Sequence, residues 1–233
     1  MESREVVIEG GADSPPTPAY AALPDAPATY GVVVIHELFG RQPDIDRACD
    51  RIARQGAAAV APDLSARGRI PCLVDMFRAV RTGRGVGVAQ AHAARDWLAR
   101  EASLAPDRIA LLGFCAGGGF ALAAGRGFAA VSTNYGEVPD IEILRGIGPV
   151  IGCYGGRDRV FGANQAERLR DRLVTLGVKH EVNVFPEAGH SFLTDTKHEI
   201  GRILMPAMGF TDAPEAREAG WTKIFAFFDQ CFG

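Results

Sequence analysis

Short apolar runs alternate with stretches of helical period along the chain. Gly31-Val32-Val33-Val34-Ile35 is β-branched and unbroken, the pattern of a strand buried on both faces. Residues 57–61 are weaker by propensity, but they end in Pro62-Asp63, a strand-to-loop signal. Residues 108–112, 129–133, 149–153 and 181–185 read as further strands, and residues 6–9 add an edge strand. Between them, Ile45, Ile52 and Ala53 share a face within 43–55. Ala94, Trp97, Leu98 and Glu101 follow three-and-four spacing within 86–102. Ala166, Leu169, Leu173 and Leu176 do the same in 163–176, where Gly177 supplies a stop, and Trp221, Ile224, Phe225 and Phe228 mark a C-terminal helix. Strand alternating with helix predicts an α/β fold whose mostly parallel central sheet is covered by helices on both faces. The Pro-rich stretches 14–18 and 24–27 read as a loop between early edge strands, and 205–219 as an irregular surface segment. With no internal repeat or long linker, residues 1–233 are expected to form one domain.

Composition narrows the function classes. Hydrophobic residues make up 47% and charged residues 23%, which excludes a disordered chain or a coiled coil. The 25 basic residues against 28 acidic give a net charge of −3, without the footprint of a general nucleic-acid binder. No apolar run approaches the roughly 18 residues of a membrane span. The first ten residues carry Glu2, Arg4, Glu5 and Glu9, unlike a secretory signal. Five scattered cysteines without a C-x-x-C pair argue against a disulfide framework or a cysteine zinc site, so a reducing cytoplasm is the expected setting.

The most informative segment is Gly113-Phe114-Cys115-Ala116-Gly117, placed where a strand runs directly into a helix. This is the G-x-nucleophile-x-G elbow, with cysteine at the nucleophile position. The turn is so tight that side chains two residues to either side of the nucleophile would clash, hence Gly113 and Gly117. At a helix N-terminus Cys115 would meet partial positive charge and free N–H groups able to bind an oxyanion. Neither the G-x-G-x-x-G spacing of a dinucleotide fold nor a P-loop lysine is present, and no G-x-S-x-G competes.

In this architecture the order along the chain is nucleophile, acid, histidine. The run 149–154 ends in Gly155-Gly156 and Asp158, and the run 181–185 leads to Gly189-His190. His190 is then the base that takes the thiol proton, and Asp158 the acid that orients the imidazole. His92, His180 and His198 sit in structural contexts.

His36-Glu37-Leu38-Phe39-Gly40 closes the first long strand. It is not H-E-x-x-H, so no metal is expected. The loop after that strand supplies the second oxyanion N–H in this fold, which makes the backbone N–H groups of Leu38 and Ala116 the candidate donors. By position alone, Glu37 fits a helix-capping or surface acid as well as a buried carboxylate beside the thiol, whose pKa would be raised.

Taken together, residues 31–228 resemble the dienelactone hydrolase family of α/β-hydrolases. The likeness rests on 35–40, on Ala61-Pro62-Asp63-Leu64, on Gly113-Phe114-Cys115-Ala116-Gly117-Gly118, on Gly155-Gly156-Arg157-Asp158 and on Glu187-Ala188-Gly189-His190-Ser191-Phe192. The resemblance implies an α/β-hydrolase fold and a Cys115–Asp158–His190 triad, with Glu37 on the resting thiol. It also implies hydrolysis of a small-molecule lactone or ester without metal or cofactor. Family members that cleave dienelactone hold its carboxylate with arginines. One lies four residues after the histidine, where this chain has Thr194. Another lies in the segment after Leu64, which here offers Arg67, Arg69, Arg78, Arg81 and Arg84. Arg78, Arg81 and Thr194 are taken as the substrate-binding candidates. The same triad could pass its acyl group to an amine or thiol, and a scaffold without catalysis is the remaining alternative. No nucleic-acid or membrane partner is expected, and the assembly is expected to be a monomer or small homo-oligomer.

Overall fold

Eight strands form one sheet in the structure, a computed structural model that describes residues 1–11, 13–161, 164–194 and 212–233. They are β1 (Glu2–Ile8), β2 (Thr17–Leu23), β3 (Gly31–Ile35), β4 (Ala58–Pro62), β5 (Ile109–Phe114), β6 (Val131–Asn134), β7 (Val150–Gly155) and β8 (His180–Phe185). Their order across the sheet is β1-β2-β4-β3-β5-β6-β7-β8. From β4 to β8 every pairing is parallel, while β1 and β2 form an antiparallel hairpin that joins β4 antiparallel.

The helices are α1 (Pro43–Arg54), α2 (Arg69–Thr82), α3 (Val86–Glu101), α4 (Ala116–Ala124), α5 (Gln165–Thr175) and α6 (Pro214–Phe232), with a 3₁₀ turn at Pro106–Arg108. α1 and α6 lie side by side on one face. There Arg51 of α1 pairs with Glu218 and covers the Trp221 ring of α6 at 5.0 Å. α2, α3 and α4 pack together on the other face. Every residue of β3, β4 and β5 is buried, as both faces of the central strands are covered. The weak strand propensity of β4 is overridden because it pairs on both sides, with β2 and β3. No helix among the described residues is long and apolar enough to cross a membrane.

Three sequence expectations change. The edge strand is longer than 6–9, because Glu2–Ile8 zips along the whole of β2. The Pro-rich loop is shorter, since Thr17 and Pro18 already belong to β2, where Pro18 stands near the strand start. The segment 205–219 is helical from Pro214, a residue whose missing N–H and fixed φ suit a first turn; its part before residue 212 lies outside the described residues, as does His198.

The chain leaves β3 for β4 on one side and returns past β3 to β5 on the other. This reversal opens a crevice at the C-terminal ends of β3 and β5, the place where open parallel sheets bind ligands.

Candidate active site

Cys115 stands at that crevice, between the last residue of β5 and the first of α4. It adopts φ 55° and ψ −120°, a conformation rarely open to a side chain. The two flanking glycines make the turn possible. A Cβ on Gly113 would lie 1.9 Å from the Gly117 carbonyl oxygen, and one on Gly117 would lie 2.4 Å from that of His36. The Cys115 N–H donates to the Asn134 carbonyl at 3.0 Å, and the Asn134 side chain donates to the Gly113 carbonyl at 3.0 Å. The end of β6 thus braces the elbow.

The acid and histidine loops are joined in the same way. A Cβ on Gly155 would meet the Gly189 carbonyl at 2.5 Å, and Arg157 donates its N–H to the Ala188 carbonyl at 2.9 Å. This contact brings Asp158 to His190. His190 Nδ1 lies 2.7 Å from Asp158 Oδ2, and Nε2 lies 3.0 Å from Cys115 Sγ. The other Asp158 oxygen accepts the Val160 N–H at 2.8 Å. Both carboxylate oxygens are therefore committed, and Nδ1 carries the proton it donates. Tyr135 and Phe161 meet the imidazole edge-on, with ring centroids at 5.0 and 5.7 Å.

Burial, and after it the charge of Glu37, holds the Cys115 thiol well above its ordinary pKa. The backbone N–H groups of Ala116 and Leu38 point at the sulfur and pull the other way. The two candidate oxyanion donors thus both act on Cys115. Glu37 is buried, and its own pKa is raised by loss of solvent and then by Asp44, against the opposing influence of His190. Its Oε1 accepts the Thr194 hydroxyl at 3.1 Å and the Tyr135 hydroxyl at 3.4 Å. The thiol's near partner is His190, and Glu37 acts on it through charge.

Thr194 also lies 3.1 Å from the Ser191 carbonyl oxygen, so its hydroxyl belongs to the surroundings of Glu37. Arg78 and Arg81 lie on α2. Arg78 lines a cavity of about 340 Å³ with Leu64, Arg67 and Cys72, and Arg81 donates to the Phe77 carbonyl at 3.3 Å on the exposed side. Among the described residues no hydrogen bond or ion pair joins either arginine to Cys115, Glu37 or His190. Nor does any group of three or more His, Cys, Asp or Glu stand close enough to hold a metal.

Sequence reasoning assigned no role to two groups at the site. Tyr135 follows β6 at φ 44° and reaches both Glu37 and Thr194. The loop after His190, with Ser191 at φ 57°, is held from α6: Arg217 donates to the Phe192 carbonyl at 3.0 Å and Trp221 Nε1 to the Leu193 carbonyl at 3.0 Å. Position at the C-terminal end of β6 was the one available hint for Tyr135.

Comparison with known proteins gives a consistent picture. A family model described as the dienelactone hydrolase family matches residues 17–232. A Yersinia pestis protein provisionally named a carboxymethylenebutenolidase is 30% identical, covering 91% of this chain and 83% of its own length. The carboxymethylenebutenolidase of Rhodococcus opacus is 28% identical, covering 92% and 86%. Among solved structures, a dienelactone hydrolase-like promiscuous phosphotriesterase from metagenomic libraries superposes with a TM-score of 0.81 over 100% of this chain and 99% of that one. Its 23% identity makes that a likeness of fold.

Proposed function

The chain belongs to the dienelactone hydrolase family, and on that premise we propose that it hydrolyses a small carboxylic ester or lactone through a thioester on Cys115. The observation that carries the reading is the continuous line from Cys115 Sγ to His190 Nε2 at 3.0 Å and from His190 Nδ1 to Asp158 at 2.7 Å. With its pKa raised, the resting thiol is neutral and gives its proton to Nε2 as it attacks the substrate carbonyl carbon. The C=O π pair moves onto oxygen, where the N–H groups of Leu38 and Ala116 receive the negative charge. Collapse re-forms the carbonyl and breaks the ester C–O bond. Imidazolium protonates the departing alkoxide, and Asp158 stabilises that cation while it lasts. Water then loses a proton to His190 and attacks the thioester. The second tetrahedral species expels the thiolate, which takes the proton back, and the acid leaves. For a lactone the alcohol stays tethered to the acyl group, so the product is one hydroxy acid.

The test is a burst experiment with a chromogenic acyl ester. One equivalent of chromophore per active site, followed by steady turnover in water, is expected. A burst that resolves only when an amine or thiol is added would identify a transferase, and no acylation would identify a non-catalytic scaffold. Cys115→Ala is expected to lose on the order of 10³–10⁶-fold in turnover, the range for members of such triads.

A further inference from the structure

The oxyanion loop has a clamp outside the triad. His36 is the residue between β3 and Glu37, and it is fully buried. Its Nδ1 lies 2.7 Å from the backbone carbonyl oxygen of Glu37. A carbonyl oxygen can only accept, so Nδ1 carries the hydrogen. Burial lowers the pKa of this ring, which keeps it neutral. Among the described residues its Nε2 has no hydrogen-bond partner, and it faces Asp63 Oδ1 at 4.0 Å. That carboxylate oxygen is already engaged by the N–H and hydroxyl of Ser65 at 2.9 and 2.6 Å. The short hydrogen bond that Nδ1 makes goes to a peptide group of the candidate active site.

The carbonyl it grips belongs to the peptide that carries the Leu38 N–H. A trans peptide is planar, and its C=O and N–H point in opposite directions. Fixing the Glu37 oxygen therefore fixes the direction of the Leu38 N–H, which points at the Cys115 sulfur. The same oxygen also accepts the Gly40 N–H at 3.2 Å, closing the turn 37–40. Gly40, at φ 85°, packs so closely that a Cβ there would lie 2.3 Å from Ser65 Oγ. One side of the carbonyl is held by the turn and the other by His36.

We propose that His36 is a positioning residue for the reaction, its Nδ1–H orienting the 37–38 peptide so that the Leu38 N–H meets the oxyanion. This deepens the acyl-enzyme reading above and rests on it. The buried ring reaches neither substrate nor thiol and acts only through the peptide.

The experiment separates oxyanion binding from nucleophile reactivity. His36→Leu removes the donor. His36→Asn keeps an N–H donor where Nδ1 stands, because both atoms are bonded to Cγ. Three readouts are taken on each folded protein: kcat and KM for a chromogenic ester, affinity for a substrate-like aldehyde that forms a hemithioacetal on Cys115, and the rate of Cys115 alkylation by iodoacetamide. Removing an oxyanion donor outright costs about 10²–10³-fold in kcat. Loosening one is expected to cost ~10-fold or more, with a similar loss in aldehyde affinity, KM little changed and alkylation within about twofold. His36→Asn is expected to recover most of both losses. Ester turnover at the wild-type level in His36→Leu would overturn the proposal, as would turnover and alkylation falling in parallel, or His36→Asn doing no better than Leu. Should His36→Leu not fold, His36→Asn decides alone: aldehyde affinity near wild type supports the clamp, and a loss above tenfold overturns it. Cys115→Ala is run alongside. If it hydrolyses the ester, the thiol reading itself fails; if it is inactive while His36→Leu is unimpaired, only the clamp fails.

Discussion

Glu37 and Cys115 share one desolvated space, and a negative charge on the first makes a negative charge on the second costlier. The sign of the coupling gives a test. Glu37→Gln keeps shape and acceptor but removes the charge, so the Cys115 thiol pKa should fall and alkylation by iodoacetamide at alkaline pH should quicken. Below the raised pKa of Glu37 the carboxyl is protonated in the wild type too, and the two proteins should converge. An alkylation profile identical at every pH would make Glu37 a structural acid. Stability follows the same logic. A carboxyl whose pKa is raised on folding contributes stability that is complete below its ordinary 4.5 and lost as pH rises through the raised value, so Glu37→Gln should show a higher Tm than wild type only above that range. Cys115, Asp158 and His190 were legible in the sequence because tight turns need glycine, and glycines marked the ends of three strands. Tyr135, Ser191 and the ring of His36 were not. Their roles come from hydrogen bonds across 98 residues, as in Tyr135 to Glu37, or from a ring turned onto its neighbour's carbonyl, and neither leaves a spacing to read.

At the scale of elements, the elbow works by crowding α4 against the end of β3. Gly117→Ala would push a methyl group into the His36 and Ile35 carbonyls at 2.4 and 2.7 Å. Backbone cannot give as a flexible side chain can, so the expected cost is about 3 kcal/mol or more by denaturant unfolding. Gly11→Ala, with open space around the new Cβ, should stay within roughly 0.5 kcal/mol. Strands β3, β4, β5 and β7 announced themselves because buried parallel strands read as apolar runs, while β6 and the edge strand β8 carry polar residues and showed as shorter β-branched stretches. Helix α2 did not. It buries Cys72, Met76, Ala79 and Val80 but leaves Ile70, Val74 and Phe77 exposed, with arginines between, so no single apolar stripe marks it. Its register matters for substrate choice. Position 194, four residues after the histidine, is a threonine engaged with Glu37 and brings no cation, and Arg67 and Arg78 on the cavity beside α2 are cations to test. A carboxylate that enters without a cation loses its hydration uncompensated, so a neutral lactone ester should outperform its free acid in kcat/KM by roughly tenfold or more. A preference for the free acid that Arg78→Ala abolishes would reverse that expectation and give Arg78 the role.

Across the whole molecule, the site is gathered from segments far apart in the chain. The elbow and oxyanion loop come from the centre of the sheet, the acid and histidine from its β7–β8 side, and the histidine's loop is fastened by α6, which packs on β7 and β8. Trp221→Phe tests that fastening. An aromatic ring is kept, though a smaller one, and the buried Leu193 carbonyl loses its donor, a loss that by itself should cost about 1–3 kcal/mol. Because the loop carries His190, turnover should fall by more than alkylation of Cys115 does; equal rates in Trp221→Phe would mean that Arg217 alone holds the loop. The fastening also has a consequence in time. A ribosome delivers Cys115, Asp158 and His190 before it delivers α6. Until that helix docks, the histidine loop has no Trp221 or Arg217 to grip its carbonyls. The finished setting of the site is therefore among the last properties the chain acquires as it is made, and a chain cut short before residue 214 would keep Cys115, Asp158 and His190 but lack both donors that hold the loop after His190.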